Sequence, residues 1–241
     1  MKKEGYILFN NKNSYRDIGA KIVDKIIIPF PKRKVDKIEI PGGEDLYVDM
    51  GGYEDITIPI ELDILDKRQI KNKYRDIKRW LGIINDNHLL FWDDLDYFYK
   101  VKKVELPNNF ETIFNLNGTA VINFICDPYL YVVDGEEEIQ LPPRLQNEYG
   151  IVANPTYRIK GEGVIKIRIN KGEFVEFNVG QEIIVDVERK IIYRNGLIEN
   201  IRKKGEWEWL QLSPGENLIE YRVANEARLD EITIIPNWRT L

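Results

Sequence analysis

At 241 residues, with 43% hydrophobic and 31% charged residues and only 17 glycines and 11 prolines, the chain has the make-up of a folded globular protein, neither collagen-like nor disordered. Its 35 basic and 40 acidic residues leave a formal charge of -5, which argues against the cationic surface that general nucleic-acid binding requires, so no sequence-specific nucleic acid is expected as a partner. A single cysteine, Cys126, and a single histidine, His88, exclude an intrachain disulfide and a zinc site built from the usual nitrogen and sulfur ligands.

Met1-Lys2-Lys3 resembles the start of a secretion signal, but the apolar run from Tyr6 to Phe9 stops at Asn10-Asn11-Lys12. No leader is expected, and synthesis in a cytoplasm follows. The densest apolar stretch, Ile26-Ile27-Ile28-Pro29-Phe30, is broken by proline and too short for membrane insertion. Short apolar runs with period two dominate the chain, the spacing of strands, so the fold class is mainly β. Ile38 and Ile40, then Ile56, Ile58 and Ile60, alternate on either side of Pro41-Gly42-Gly43 and Gly51-Gly52, which read as loop or hairpin connections.

From Asp66 to Gly82 the period changes. Ile70, Tyr74, Ile77 and Leu81 recur at helical spacing and predict one amphipathic helix, capped by Asp66 and closed by Gly82 in the left-handed conformation. Its basic face, from Lys67 to Arg79, is expected to be solvated. Next, Leu89-Leu90-Phe91-Trp92 and Tyr97-Phe98-Tyr99 flank Asp93-Asp94-Leu95-Asp96, a strand-turn-strand signature predicting a β-hairpin. A strand from Ala120 to Ile125 runs into Cys126-Asp127-Pro128, with Cys126 expected as a small buried side chain. Acidic turn residues at Asp134-Gly135-Glu136-Glu137-Glu138 and the pair Pro142-Pro143 place a domain boundary between about Tyr131 and Pro143, giving domains 1–133 and 134–241.

The second half predicts no helix and about six strands, the pattern of a compact sandwich. Ile165, Ile167 and Ile169 alternate with Lys166 and Arg168, and Val175, Phe177 and Val179 with Glu176 and Asn178. Asn195-Gly196 is a two-residue hairpin turn, and Pro214-Gly215 is another turn before Ile219, Tyr221 and Val223.

No phosphate-cradling glycine loop, nucleophile elbow or metal-binding His-Glu-x-x-His helix is present, and no cofactor is expected. Gly161-Glu162-Gly163 lacks the third glycine of a dinucleotide loop and reads as a turn. His88, the only available histidine base, is expected to be structural. Asp93, Asp94 and Asp96 have the oxygen chemistry of a hard-cation or hydrolase site but not the spacing of a calcium loop, so turn chemistry accounts for them. Trp207 and Trp209 are two apart, which on a strand puts both on one face, either stacking on sugars or buried in the core.

In their order, these motifs resemble the distal tail protein (Dit) family of long-tailed bacteriophages, also called the siphovirus tail component family, over nearly the full chain. The matching pieces in the first half are Lys37-Ile38-Glu39-Ile40-Pro41-Gly42-Gly43, Gly52-Tyr53 leading into Ile56-Thr57-Ile58, the helix end Trp80-Leu81, and the aromatic hairpin from Phe91 to Tyr99, where Leu95 stands in place of an expected proline. Gly118 to Tyr129 resembles the strand closing the first domain. Asn154-Pro155, Gly161-Glu162-Gly163, Ile184-Val185-Asp186, Leu212-Ser213-Pro214-Gly215-Glu216-Asn217 and Ile234-Ile235-Pro236-Asn237-Trp238-Arg239 follow in the family's order.

The resemblance implies an N-terminal, ring-forming, β-sandwich-like domain with one amphipathic helix and a β-hairpin, and a C-terminal galectin-like β-sandwich projecting outward. It implies a structural virion protein rather than an enzyme. Copies of the chain would form a ring, usually a hexamer, at the tail tip. That hub would join the tail tube protein to a tail-associated lysin or tail-tip protein, in some phages to receptor-binding proteins, and would leave a passage for DNA. The alternative read from the residues is a carbohydrate-binding protein that recognises host cell-wall sugars through Trp207 and Trp209.

Overall fold

A computed structural model of the chain describes residues 5–107 and 116–241. The fold is mainly β and sandwich-like, built from antiparallel sheets as the period-two pattern predicts. It divides into a first unit ending at Leu130 and a second unit, Tyr131–Thr240. Among the described residues, no helix is long and apolar enough to cross a membrane.

The first unit begins with β1 (Ile7–Phe9), β2 (Lys12–Asn13), β3 (Ala20–Ile22), β4 (Arg33–Ile38), β5 (Leu46–Tyr53) and β6 (Ile56–Ile64). Helix α1 (Ile70–Gly82), β7 (His88–Phe91), β8 (Asp94–Glu105) and β9 (Thr119–Val132) follow. The main sheet is ordered β2-β1-β7-β8-β9-β6-β3, while among the described residues β4 and β5 pair only with each other. In β6 every second residue from Ile56 to Ile64 is buried, and the strand pairs with β9 from Ile56 opposite Cys126 to Asp63 opposite Thr119. Helix α1 covers this face with Ile77, Trp80 and Leu81; Ile77 and Leu81 belong to the stripe that the sequence pattern identified, and Trp80 lies beside it. The indole N–H of Trp80 donates to Phe9 O at 2.8 Å, so its one polar atom is satisfied inside the core.

Asp66 caps the helix start as expected, accepting from the Arg68 amide at 3.1 Å across one 3₁₀ turn. The other end differs from expectation. Gly82 is the last helical residue and has no left-handed φ. The terminal carbonyls are instead satisfied from outside the helix, by the Asn10 amide group, which donates to Trp80 O at 2.7 Å and Ile83 O at 2.6 Å.

Three further expectations are corrected. Gly51 and Gly52 are not a connection between strands; both have left-handed φ inside β5, where they form a bulge against β4. The turn after β7 is tighter than the acidic run implied, because Phe91 pairs with Asp94 and only Trp92 and Asp93 remain to turn the chain. Strand β9 does not stop at Ile125 but runs on through Pro128 to Val132. The residues paired with β6 end at Cys126, so Pro128 removes no donor from that ladder.

The second unit contains β10 (Ile139–Gln140), β11 (Arg144–Asn147), β12 (Thr156–Ile169), β13 (Val175–Asp186), β14 (Ile191–Arg194) and β15 (Leu197–Ile198). After these come β16 (Lys203–Lys204), β17 (Gly215–Val223), β18 (Arg228–Ile235) and β19 (Arg239–Thr240). Long strands β12 and β13 pair from Thr156 opposite Asp186 to Ile167 opposite Val175, and their inward residues form a second core around Tyr157, Phe177 and Ile192. Asn195 and Gly196 both take left-handed φ and make the predicted two-residue hairpin between β14 and β15.

Gly161-Glu162-Gly163 is not a turn but the middle of β12. Here the strand changes partner, from β18 at residues 156–162 to β17 at residues 165–169. The intervening residues 224–227 bulge toward it, and a Cβ on Gly161 would stand 2.2 Å from Arg228 O, one on Gly163 2.8 Å from the Ala227 methyl. Only glycine admits so close an approach.

Candidate functional site

Ile38 and Ile40 alternate in sequence just as the isoleucines of β6 do, but the same pattern has a different outcome in the two places. Strands β4 and β5 form a two-stranded ribbon with solvent on both faces, and every residue from 33 to 52 is exposed. The pairing of Ile38 with Leu46 and Asp36 with Val48 puts Ile38, Leu46 and Val48 on one face, while Val35 and Tyr47 lie on the other. Met50 and Tyr47 are 63% and 62% exposed, and the preceding segment adds Ile27 and Phe30 at 76% and 78%. A lone hairpin is marginal in water, because it buries too little to offset its lost conformational freedom.

What orders the ribbon within the chain is largely polar and local. Arg33 pairs with Asp49 at 2.8 Å and lies over the Tyr53 ring at 5.5 Å, and Lys37 pairs with Asp45 at 2.8 Å. The Gly51 amide donates to the Asp49 carboxylate at 2.9 Å and, with Arg33, holds that carboxyl below its ordinary range. Exposed ion pairs of this kind contribute little. Among the described residues, no surface covers the apolar side chains that would stabilise the ribbon. They are therefore the candidate functional site: an interaction surface.

Trp207 and Trp209 do not sit on a strand. They belong to a 3₁₀ turn, Trp207–Leu210, in which residues two apart point in different directions, so the shared face expected of them is absent. Trp207 packs against the second core with the Lys203 ammonium 4.5 Å from its ring centre, whereas Trp209 lies over Gly205 and is 36% exposed. Burial pushes the Lys203 ammonium below its ordinary pKa.

Among the described residues, no three of histidine, cysteine, aspartate and glutamate group as a metal site, and Asp93, Asp94 and Asp96 are divided between a turn and the start of β8. Asp94 is held above its ordinary pKa, first by partial burial and then by the charges of Asp96 and Asp93. His88 has its Nδ1 2.9 Å from an Asp86 carboxylate oxygen and its ring edge-on to Phe98 at 4.2 Å. Cys126 is fully buried in the first core, as expected.

With this geometry in hand, comparison with solved structures gives a match over the whole length. The Dit protein of phage SPP1, described as a paradigm of the hub adsorption apparatus in Gram-positive-infecting phages, superposes with a TM-score of 0.63 at 13% identity, covering 99% of this chain and 100% of that one. The chain has the fold of a phage Dit protein. A chain from the phage p2 baseplate in its activated conformation with strontium is similar at a TM-score of 0.47 and 11% identity, over 96% of each chain. No protein-family model and no curated protein matches at the level of sequence. The Dit-like order of motifs read along the chain thus coincides with a Dit-like fold, although few residues are shared.

Proposed function

We propose that this protein is a structural component of a phage tail tip, a Dit-type hub whose copies assemble into a ring, with a hexamer as the expected number. The observation that carries the reading is the unburied ribbon of β4 and β5, on a chain whose fold matches the SPP1 hub protein from end to end. A ribbon that cannot bury its own apolar side chains needs a neighbour, and a repeated head-to-tail contact closes into a ring when its rotation fits. Fold alone does not assign a role; the ribbon supplies a physical reason for assembly. Tail tube protein on one side and a tail-associated lysin or other tail-tip protein on the other are the proposed partners, with receptor-binding proteins as a further attachment. The proposed role is non-enzymatic, and the second unit is proposed to be the outward, galectin-like sandwich.

The test is to mix the full chain with tail tube and tail-tip proteins encoded beside it, measure native mass and image the product by negative stain. Closed rings of one stoichiometry are expected. A strictly monomeric chain in the presence of both partners would remove the reading.

A further inference from the structure

A second surface, on the second unit, carries a charge pattern that the ring reading does not use. Arg222 of β17, Lys166 of β12, Glu176 of β13 and Lys204 of β16 form one cross-strand row, since Lys166 is opposite both Arg222 and Glu176, and Glu176 is opposite Lys204. Directly opposed residues share a sheet face. Ile165, Ile167 and Phe177, the alternate residues of the central strands, are buried on the other side, so these four charges face solvent.

Glu176 is engaged by Lys166. Its one negative charge serves both Lys166 and Lys204, so the row of three cations and one carboxylate keeps an excess of positive charge, with Arg222 at the end away from Glu176. Among the described residues no carboxylate stands within ion-pair distance of Arg222 or Lys204. Arg222 is nevertheless held in place: its guanidinium lies 4.5 Å from the centre of the Phe174 ring, and the guanidinium of Arg168 lies 4.5 Å from the same centre. Arg168 is paired with Glu220 through one nitrogen, while its buried Nε has no acceptor.

A stacked guanidinium with no carboxylate within ion-pair distance offers the fork that two oxygens of an oxyanion require, and Lys166, whose ammonium is shared with Glu176, stands on the adjacent strand, a backbone spacing of ~4.8 Å away. Lys204, three strand spacings or roughly 14 Å from Arg222, lengthens the row beyond one such group. We propose that this face of the second unit binds a phosphate-type oxyanion, with Arg222 as the anchor and Lys166 and Lys204 flanking it. The inference stands independently of ring formation.

The test is calorimetric titration of the full chain at low salt with inorganic phosphate and with linear polyphosphate, repeated on the double variant Arg222→Gln, Lys204→Gln. Saturable polyphosphate binding is expected, weakened about tenfold or more in the double variant and with a shallower salt dependence. Binding of inorganic phosphate as well assigns a site for a single oxyanion, and binding of polyphosphate alone assigns one for a chain of them. No saturable binding of either probe, or equal binding by parent and variant, overturns the proposal. Thermal unfolding checks that the variant is folded; if it is not, Arg222→Lys takes its place, which keeps the charge and removes the fork, and unchanged affinity there overturns the proposal equally.

Discussion

Asn10 ties together segments that are far apart in the chain. Besides donating to Trp80 O and Ile83 O, its side chain accepts from the amides of Asn85 at 2.9 Å and Asp86 at 3.2 Å, partners up to 76 positions away. Asn10→Ala leaves helix-end carbonyls and loop amides without partners, and is expected to lower unfolding free energy by roughly 1–3 kcal/mol in a denaturant titration. Asp94 works in the opposite direction. A carboxyl whose folded pKa is raised above its ordinary 3.8 binds its proton more tightly in the fold, so it subtracts stability as pH rises through that range and above. Asp94→Asn is expected to raise Tm at neutral pH, and the gain should disappear below pH 3.8, where the parent carboxyl is protonated in both states. For Cys126, burial pushes the thiol up to about 12, the nearby Asp127 and Asp55 charges adding to it. A thiol reagent at neutral pH should therefore label it only at the rate of unfolding, whereas rapid labelling of native protein would contradict its placement. Burial of Cys126 was legible from its apolar neighbours in sequence. The role of Asn10 was not, because nothing local distinguishes it from any other turn asparagine.

Elements whose character is set by their own residues were read correctly. Helix α1 is one, since its apolar stripe and its Asp66 cap lie within a few turns of each other; the hairpin at Asn195-Gly196 is another. Elements defined by a distant strand were not. Gly161 and Gly163 look like a turn, yet they serve β12 at the place where its partner changes from β18 to β17. Gly161→Ala would drive a methyl to within 2.2 Å of Arg228 O, so it is expected to lower stability by about 3 kcal/mol or more and to disturb β12 rather than the flanking loops, measurable by chemical denaturation and amide exchange. The shared strand face expected of Trp207 and Trp209 is missing for a related reason. Two-residue spacing implies a shared face only if the backbone is extended, and here it winds as a 3₁₀ turn.

For the whole molecule, the ribbon of β4 and β5 is the feature with consequences beyond the chain. Exposed apolar residues scattered singly are ordinary, but Ile38, Leu46 and Val48 lie together on one face of a two-stranded ribbon that, among the described residues, joins no larger sheet. Ile38→Asp combined with Leu46→Asp removes apolar area that the described residues leave exposed. The far-ultraviolet spectrum and Tm of the monomer should be unchanged, while light scattering should register loss of higher-order species; an unchanged mass distribution would show that assembly does not use this face. The acidic overall charge gave no hint of the basic row at Arg222, Lys166 and Lys204, because the three residues come from strands brought together only by register.

Alternation with period two, one stretch of helical period between Asp66 and Gly82 and turn-forming pairs were enough to determine a mainly β chain with an amphipathic helix, α1, in that stretch, since each depends on residues close in sequence. The order of those motifs also pointed to the Dit fold. Tertiary structure alone decided which alternating strands are core and which are solvent-exposed, as the contrast between Ile58 in β6 and Ile38 in β4 illustrates: 0% against 47% exposed on the same pattern. Alternation specifies that a strand has two faces. What covers either face depends on partners many residues away, or on another molecule.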